Sequence, residues 1–389
     1  MRSVCWRIAL SLSLCLFQAV AMGQPLKTLG YLAWWMPESW RTVPLNELDR
    51  LLWFEFKVDA LGTVSERHGW PEQWQGLQTE TVRQHVALDL VLTLFDPSTF
   101  NALFTSAEAI DRLLAESLSL AGSDKVAGLH LDFEIFEKAN PLAIERYRGF
   151  VMALSQQLHQ SSPPKSLSVF CLAGSGTSLY DADTLKHADY VVMQSYDTHY
   201  RGSQNAGPIA PLQGTDTLTW QSAAAAGVAL GVPKHRLIFS FPLFGYEWPV
   251  KNNKVRSRVQ GSGKTTTFAA VAADVLPSIQ INITQRVQQY GALHDPVSGS
   301  AYYKFKDGSG QWMEGWFEDW WTLGQKFDFL TREKLGGMAF FLLGYDQGEL
   351  VRYYLQRRGS KNIDTLIEQI QSGDSLLETH ENNPDYLPK

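Results

Sequence analysis

The chain has 389 residues, 44% of them hydrophobic and 19% charged, with a formal net charge of -6. That size and balance support one large core or two modest ones and exclude an intrinsically disordered chain. The negative charge offers no basic surface to a polyanion, which excludes nucleic acid as a partner.

The amino terminus carries Arg2 and Arg7, an apolar run over 8–17, and Ala19-Val20-Ala21 before Met22. A charged region, a short hydrophobic region and a small-x-small site predict a secretory signal peptide over 1–21, hence an exported protein, periplasmic or secreted. The run is too short to form a stable membrane span. Its removal takes Cys5 and Cys15 and leaves Cys171 as the single thiol, so no internal disulfide is expected.

Beyond the leader, strand-like apolar runs alternate with helical stretches, the signature of βα units around a parallel sheet. Strands are predicted at 29–35, 51–58, 88–95, 126–134, 166–171, 190–196, 237–244 and 337–343. Helical periodicity covers 106–120, 141–159 and the Ala-rich stretch 222–229. Eight such strands predict an α/β fold of the (β/α)8 TIM-barrel type over residues 22–377. The segment between strands seven and eight is far longer than a crossover needs. A small α+β insertion is therefore expected over about 249–316, with a helix at 269–290 and hairpin pieces 302–305 and 311–314 around Asp307-Gly308-Ser309-Gly310. Residues 378–389 are polar and Pro-containing and read as a flexible tail.

The fourth strand carries the strongest chemical signal. Alternation puts His130, Asp132 and Glu134 on one face and Leu129, Leu131 and Phe133 on the other. Burying two carboxylates and an imidazole together carries a desolvation cost that is tolerated when the groups are paired or do chemistry. In a (β/α)8 barrel the site forms at the carboxyl ends of the strands. Trp34 and Trp35, Glu134, Tyr196 and Asp197, and Trp248 are predicted to converge there. Thirteen Trp, fourteen Tyr and twenty Phe supply rings mainly for the core, and any exposed along a groove would suit stacking on sugars.

Leu129-His130-Leu131-Asp132-Phe133-Glu134 resembles the fourth-strand DGxDxDxE signature of family 18 glycoside hydrolases, and Gln194-Ser195-Tyr196-Asp197 resembles their sixth-strand MxYD element. Gly336-Gly337-Met338-Ala339-Phe340-Phe341 is similar to the opening of their eighth strand. A narrower resemblance, to the spore-cortex peptidoglycan N-acetylglucosaminidases of that family, rests on residues 241–249, 207–211 and 316–319; no LysM wall-binding module is visible. The resemblance implies a glycosidase of N-acetylglucosamine polymers, peptidoglycan or chitin, acting as a monomer without cofactor or metal. Glu134 would be the general acid, and the substrate's own acetamido oxygen the nucleophile. Asp132 would orient the acetamido group, and Tyr196 would hydrogen-bond its carbonyl. Tyr31, Trp34, Trp35, His130, Gln194, Asp197, Tyr246, Trp248, Trp316 and Phe341 would line the groove. A chitinase and an inactive lectin-like barrel, stacking sugars on Trp34, Trp35, Trp248 and Trp316, are the alternative readings.

Three positions depart from the family pattern: Ala127 and His130 stand where it has Asp, and Phe341 where it has Trp. A protonated His130 is expected to hold Asp132 ionised. Two further motifs carry no chemistry. Gly261-Ser262-Gly263-Lys264-Thr265-Thr266 has Arg258 where a phosphate loop requires glycine, and reads as a solvated hairpin. His199, His235 and His294 lack metal-ligand spacing. Asn282-Ile283-Thr284 fits a glycosylation acceptor.

Overall fold

The computed structural model describes residues 25–173 and 179–359; the predicted leader 1–21 and tail 378–389 lie outside them. The chain opens with β1 (Lys27–Ala33) and β2 (Arg50–Val58), both apolar runs, and β3 (Val64–Glu66), which folds back antiparallel on β2. Then follow α1 (Gln75–Arg83), β4 (Ala87–Leu94), α2 (Pro97–Thr105), α3 (Ala107–Ala121), β5 (Gly128–Phe133) and α4 (Pro141–Gln160). Next come β6 (Ser166–Cys171), α5 (Ala182–Leu185), β7 (Tyr190–Met193), α6 (Trp220–Ala229) and β8 (Leu237–Pro242).

Helix starts are set by side chains that accept from free N–H groups of the first turn. Asp96 with Pro97 opens α2, Ser106 opens α3, Asn140 with Pro141 opens α4, and Thr219 with Ser222 forms a capping box on α6. In α3 the buried residues Ala109, Leu113, Ser117, Leu120 and Ala121 recur at helical spacing, so one stripe faces the sheet.

After β8 the chain leaves the barrel. β9 (Phe244–Val250), β10 (Lys264–Thr267), α7 (Ile283–Tyr290), β11 (Leu293–Asp295), β12 (Ser300–Lys306) and β13 (Trp312–Phe317) build an antiparallel sheet in the order β10-β9-β13-β12-β11. It returns through α8 (Trp320–Glu333), β14 (Gly337–Phe341) and α9 (Glu349–Gly359). Strands β1, β2, β4, β5, β6, β7, β8 and β14 pair in parallel, and β14 pairs back onto β1, closing the eight-stranded barrel. The (β/α)8 architecture is the one predicted.

Several boundaries differ. Strand one ends at Ala33, before Trp34 and Trp35, and strand six ends at Met193, before Tyr196. The sheet of the insertion starts at Phe244 rather than at 249. Only Ile283–Tyr290 of the predicted 269–290 helix is helical, because Pro277 interrupts the earlier segment and Asn282 caps the later one, accepting from the Gln285 N–H. The glycine-rich stretch leads into β10, with Gly263 N–H donating to the Arg201 carbonyl.

The foot of the barrel is plugged by polar groups. Arg50 forms an ion pair with Asp89, Tyr190 donates to Asp89 at 2.6 Å, and Arg50 reaches Ser166 at 2.5 Å. Gly128 is required there, since a Cβ would stand 2.3 Å from Ser166 Oγ and 2.8 Å from Asp89 Oδ1. Where the insertion rejoins the barrel, Lys326 and Glu318 form a fully buried ion pair at 2.5 Å, with Ser300 Oγ also donating to Glu318. Removing one partner of a buried pair strands the other charge. Lys326→Ala is therefore expected to lower stability by roughly 3–5 kcal/mol in urea unfolding. A loss below about 1 kcal/mol, the worth of an exposed pair, would contradict this assignment.

Candidate active site

Alternation along β5 sends Phe133 outward against Phe104 and Tyr147 on the helices and turns His130 and Asp132 into the barrel. Register aligns His130 with Ser168 of β6 and Asp132 with Thr93 of β4. Glu134 follows the strand directly, its N–H held by the Leu94 carbonyl at 2.9 Å. Tyr180 donates to the Phe133 carbonyl, fixing the backbone between the two carboxylates.

His130 is completely buried between two hydroxyls. Nε2 lies 2.9 Å from Tyr31 Oη and Nδ1 lies 2.8 Å from Ser168 Oγ. Burial, helped by Arg50 below and only partly opposed by Asp89, pushes the imidazole down to about 3. A ring kept neutral in this way, with both nitrogens satisfied by hydroxyls in a dry site, is not the cation that would hold Asp132 ionised.

Asp132 is buried, its Oδ1 has no hydrogen-bond partner, and no described residue donates to either carboxyl oxygen. Burial first, then the Glu134 and Glu55 carboxylates, hold its proton well above the usual carboxylate range. Glu134 is pushed from 4.5 up to about 8, chiefly by burial and further by Asp197. Asp197 has a left-handed backbone (φ 61°), accepts from Tyr246 Oη at 2.9 Å, and is raised by burial to about 6. The Tyr196 hydroxyl lies within the field of Glu134, Asp197 and Asp132 and is raised well above its usual range, first by burial. Gln194 is buried beyond β7, its N–H donating to the Cys171 carbonyl at 2.8 Å.

Phe341 forms a partly exposed aromatic floor. Its ring lies 5.5 Å from Tyr31, 5.6 Å from Phe54, 5.9 Å from Tyr196 and 6.4 Å from Phe244. Trp35 joins this cluster edge-on through Phe54 at 5.8 Å. Trp34, edge-on to Trp35 at 5.5 Å, stacks face to face on His68 at 4.0 Å and lines a cavity of about 380 Å³ with Trp40, Arg41 and Trp74.

Two predicted groove residues are placed elsewhere. Trp248 is fully buried with Nε1 donating to the Tyr200 carbonyl, and Trp316 is buried under Tyr302 with Nε1 donating to Glu314. Both are core residues of the inserted sheet, so neither presents a face to a sugar. Conversely, Glu55 and Thr93 belong to the site, linked by a 2.8 Å hydrogen bond from Thr93 Oγ1. A lone carboxylate in the apolar run 51–58 was the available signal for Glu55. Tyr180 and Ser168 had none.

Because Glu134 binds its proton more tightly folded than unfolded, wild-type stability should fall as pH rises between 4.5 and about 8. Glu134→Gln removes that dependence. Its melting temperature should match wild type below pH 4.5, rise relative to it up to about pH 8, and keep a constant advantage above. A difference independent of pH would contradict the protonated state assigned to Glu134.

The sequence profile of Glycosyl hydrolases family 18 matches residues 95–346, well over half of the chain. The cortical fragment-lytic enzyme of Bacillus anthracis is 22% identical over 76% of this chain, which spans 65% of that protein. The endochitinase of Brugia malayi is 20% identical over 78% of this chain and 64% of its own length. The chain thus spans a little under two thirds of these relatives. Among solved structures, the family 18 chitinase of Cycas revoluta in complex with allosamidin superposes with a TM-score of 0.70 at 18% identity, covering 86% of this chain and all of the chitinase. The closed barrel, the acidic end of β5 and the profile match agree: this chain belongs to glycoside hydrolase family 18.

Proposed function

We propose that this chain is an exported glycosidase that cleaves β-linked N-acetylglucosamine polymers, peptidoglycan first among them, with retention of configuration. One arrangement carries the reading: Glu134, pushed up to about 8 chiefly by burial, directly follows β5 two residues beyond Asp132, whose buried Oδ1 has no hydrogen-bond partner among the described residues. A protonated carboxyl near neutrality is what a general acid requires. An unpartnered buried carboxyl oxygen is free to accept an N–H.

Family 18 enzymes are among the exceptions to the two-carboxylate rule, since the substrate supplies its own nucleophile. Glu134 gives its proton to the glycosidic oxygen as the bond from that oxygen to the anomeric carbon breaks. The acetamido oxygen forms the new bond to that carbon, giving an oxazolinium ion. Asp132 Oδ1 accepts the acetamido N–H and orients the group, Tyr196 Oη donates to the acetamido oxygen, and the Glu134 carboxylate left by proton donation balances the developing positive charge. Water then attacks the anomeric carbon, Glu134 takes its proton, and the acetamido group is released. Phe341 provides the face on which the sugar ring rests.

Export rests on the leader-like residues 1–21. Peptidoglycan is preferred because two of the segments carrying the narrower resemblance meet around Asp197: Tyr246 donates to its carboxylate, Ile209 accepts the next residue's N–H at 3.0 Å, and Pro208 contacts His199 at 3.0 Å. Chitin is the second reading, supported by the endochitinase relative.

Purified sacculi and chitin oligomers incubated side by side, with products analysed by mass spectrometry, should show glycan-strand cleavage in excess of oligomer cleavage. The reverse ratio would favour chitin, and binding without new reducing ends would favour a lectin-like barrel. Glu134→Gln should lower turnover by about 10²–10⁴-fold with the fold retained. Equal release by wild type would sink its role as acid. Wild-type kcat/KM should fall as pH rises through about 8, where Glu134 loses its proton.

A further inference from the structure

We propose that the cavity between Trp34, Trp40 and Trp74 is a second binding site, which takes a short peptide branch carrying both carboxylate and ammonium groups. The identity of the branch rests on the peptidoglycan reading; its binding can be measured without turnover.

The cavity is built by the segments that follow β1 and β3. The turn Ser39–Thr42 supplies Trp40 and Arg41, and the turn Glu72–Trp74 supplies Trp74. Its volume of about 380 Å³ is that of a small-ligand site. Trp34 walls one side and leaves 37% of its surface open, a large apolar ring that the core does not use. His68 lies flat on the same ring, 4.0 Å away and within 4° of parallel. Its backbone is left-handed (φ 44°), an uncommon state outside glycine. Trp74 Nε1 donates to the His68 carbonyl at 3.0 Å and pins it there. Backbone strain held by the residues that line a cavity points to a ligand clamp.

Position ties the cavity to the site. Trp34 meets Trp35 at 5.5 Å, Trp35 meets Phe54 at 5.8 Å, and Phe54 meets the Phe341 floor at 5.6 Å. A peptide of about five residues, extended at roughly 3.3–3.6 Å each, spans those three ring contacts.

Charge selects the ligand. On the rim Arg41 forms an ion pair with Glu38, their side chains 61% and 72% exposed, and the guanidinium stands 4.0 Å over the Trp40 ring. An ion pair so exposed is worth little, so both partners are free to exchange it for ligand charges. A guanidinium stacked on an indole is oriented to receive a carboxylate, and Glu38 accepts from an ammonium. Plain N-acetylglucosamine polymers carry no charge and would use neither group. The peptide branches of peptidoglycan carry both kinds.

The probe is an N-acetylated tetrapeptide with one side-chain ammonium and two free carboxylates, set against an N-acetylglucosamine tetramer. Titrated into the full chain and followed by indole N–H NMR, the peptide should shift the Trp34 signal to saturation. Arg41→Gln and Glu38→Gln should each weaken the peptide about tenfold or more, with the melting temperature unchanged because the pair is exposed. Arg41→Lys, which keeps the charge, should recover part of the affinity. No shift with the peptide, or equal affinity in Arg41→Gln, overturns the proposal, as does a Trp34 shift produced by the tetramer and not by the peptide. Cleavage of sacculi by a protein that does not bind the peptide removes this site alone. Peptide binding in a protein that cleaves neither sacculi nor chitin oligomers supports the site and removes the glycosidase reading alone.

Discussion

The structure depends on keeping a column of polar side chains dry inside a parallel barrel. From the foot upward the column runs through Arg50, Asp89 and Tyr190, then Ser168, His130 and Tyr31, then Glu55, Thr93 and Asp132, and ends at Glu134, Tyr196 and Asp197. A low-dielectric interior makes each unsatisfied member expensive. The lower layers meet this cost with ion pairs and hydroxyl bonds. In the upper layer burial raises the proton affinity of the carboxyls, Glu134 to about 8 and Asp197 to about 6.

His130 marks the boundary between the two solutions. Below it Arg50, Asp89, Tyr190 and Ser168 all have protein partners, and above it Asp132 Oδ1 has none among the described residues. A neutral imidazole can fill the layer because two hydroxyls satisfy both nitrogens, and it adds no charge to the pair above. The proton affinity of Asp132 is then raised by burial first and next by Glu134 at the end of its own strand, and that of Glu134 by burial first and next by Asp197.

The inserted sheet has a core of its own. Its core consumes Trp248 and Trp316, and its contact with the barrel is held by Lys326 and Glu318. One of its residues, Tyr246, reaches the site, where its hydroxyl counteracts the rise that burial imposes on Asp197. Large aromatic side chains on an insertion are as well suited to knitting a small sheet together as to binding sugar, and here packing took most of them.

The sequence by itself determined the barrel, because eight apolar runs separated by capped helices have few ways to bury both faces of a parallel sheet. It also determined the chemistry of β5, because period-two alternation makes His130, Asp132 and Glu134 share a face whatever the rest of the chain does. What it left open were quantities that depend on neighbours distant along the chain. The neutral state of His130 follows from its burial between Tyr31, 99 residues away, and Ser168, and Glu55 finds its hydrogen-bond partner in a threonine 38 residues farther on. Whether a tryptophan is core or platform depends on which strand covers it, as Tyr302 covers Trp316. Local periodicity specifies which way a side chain points. Only the closed barrel decides what it meets there.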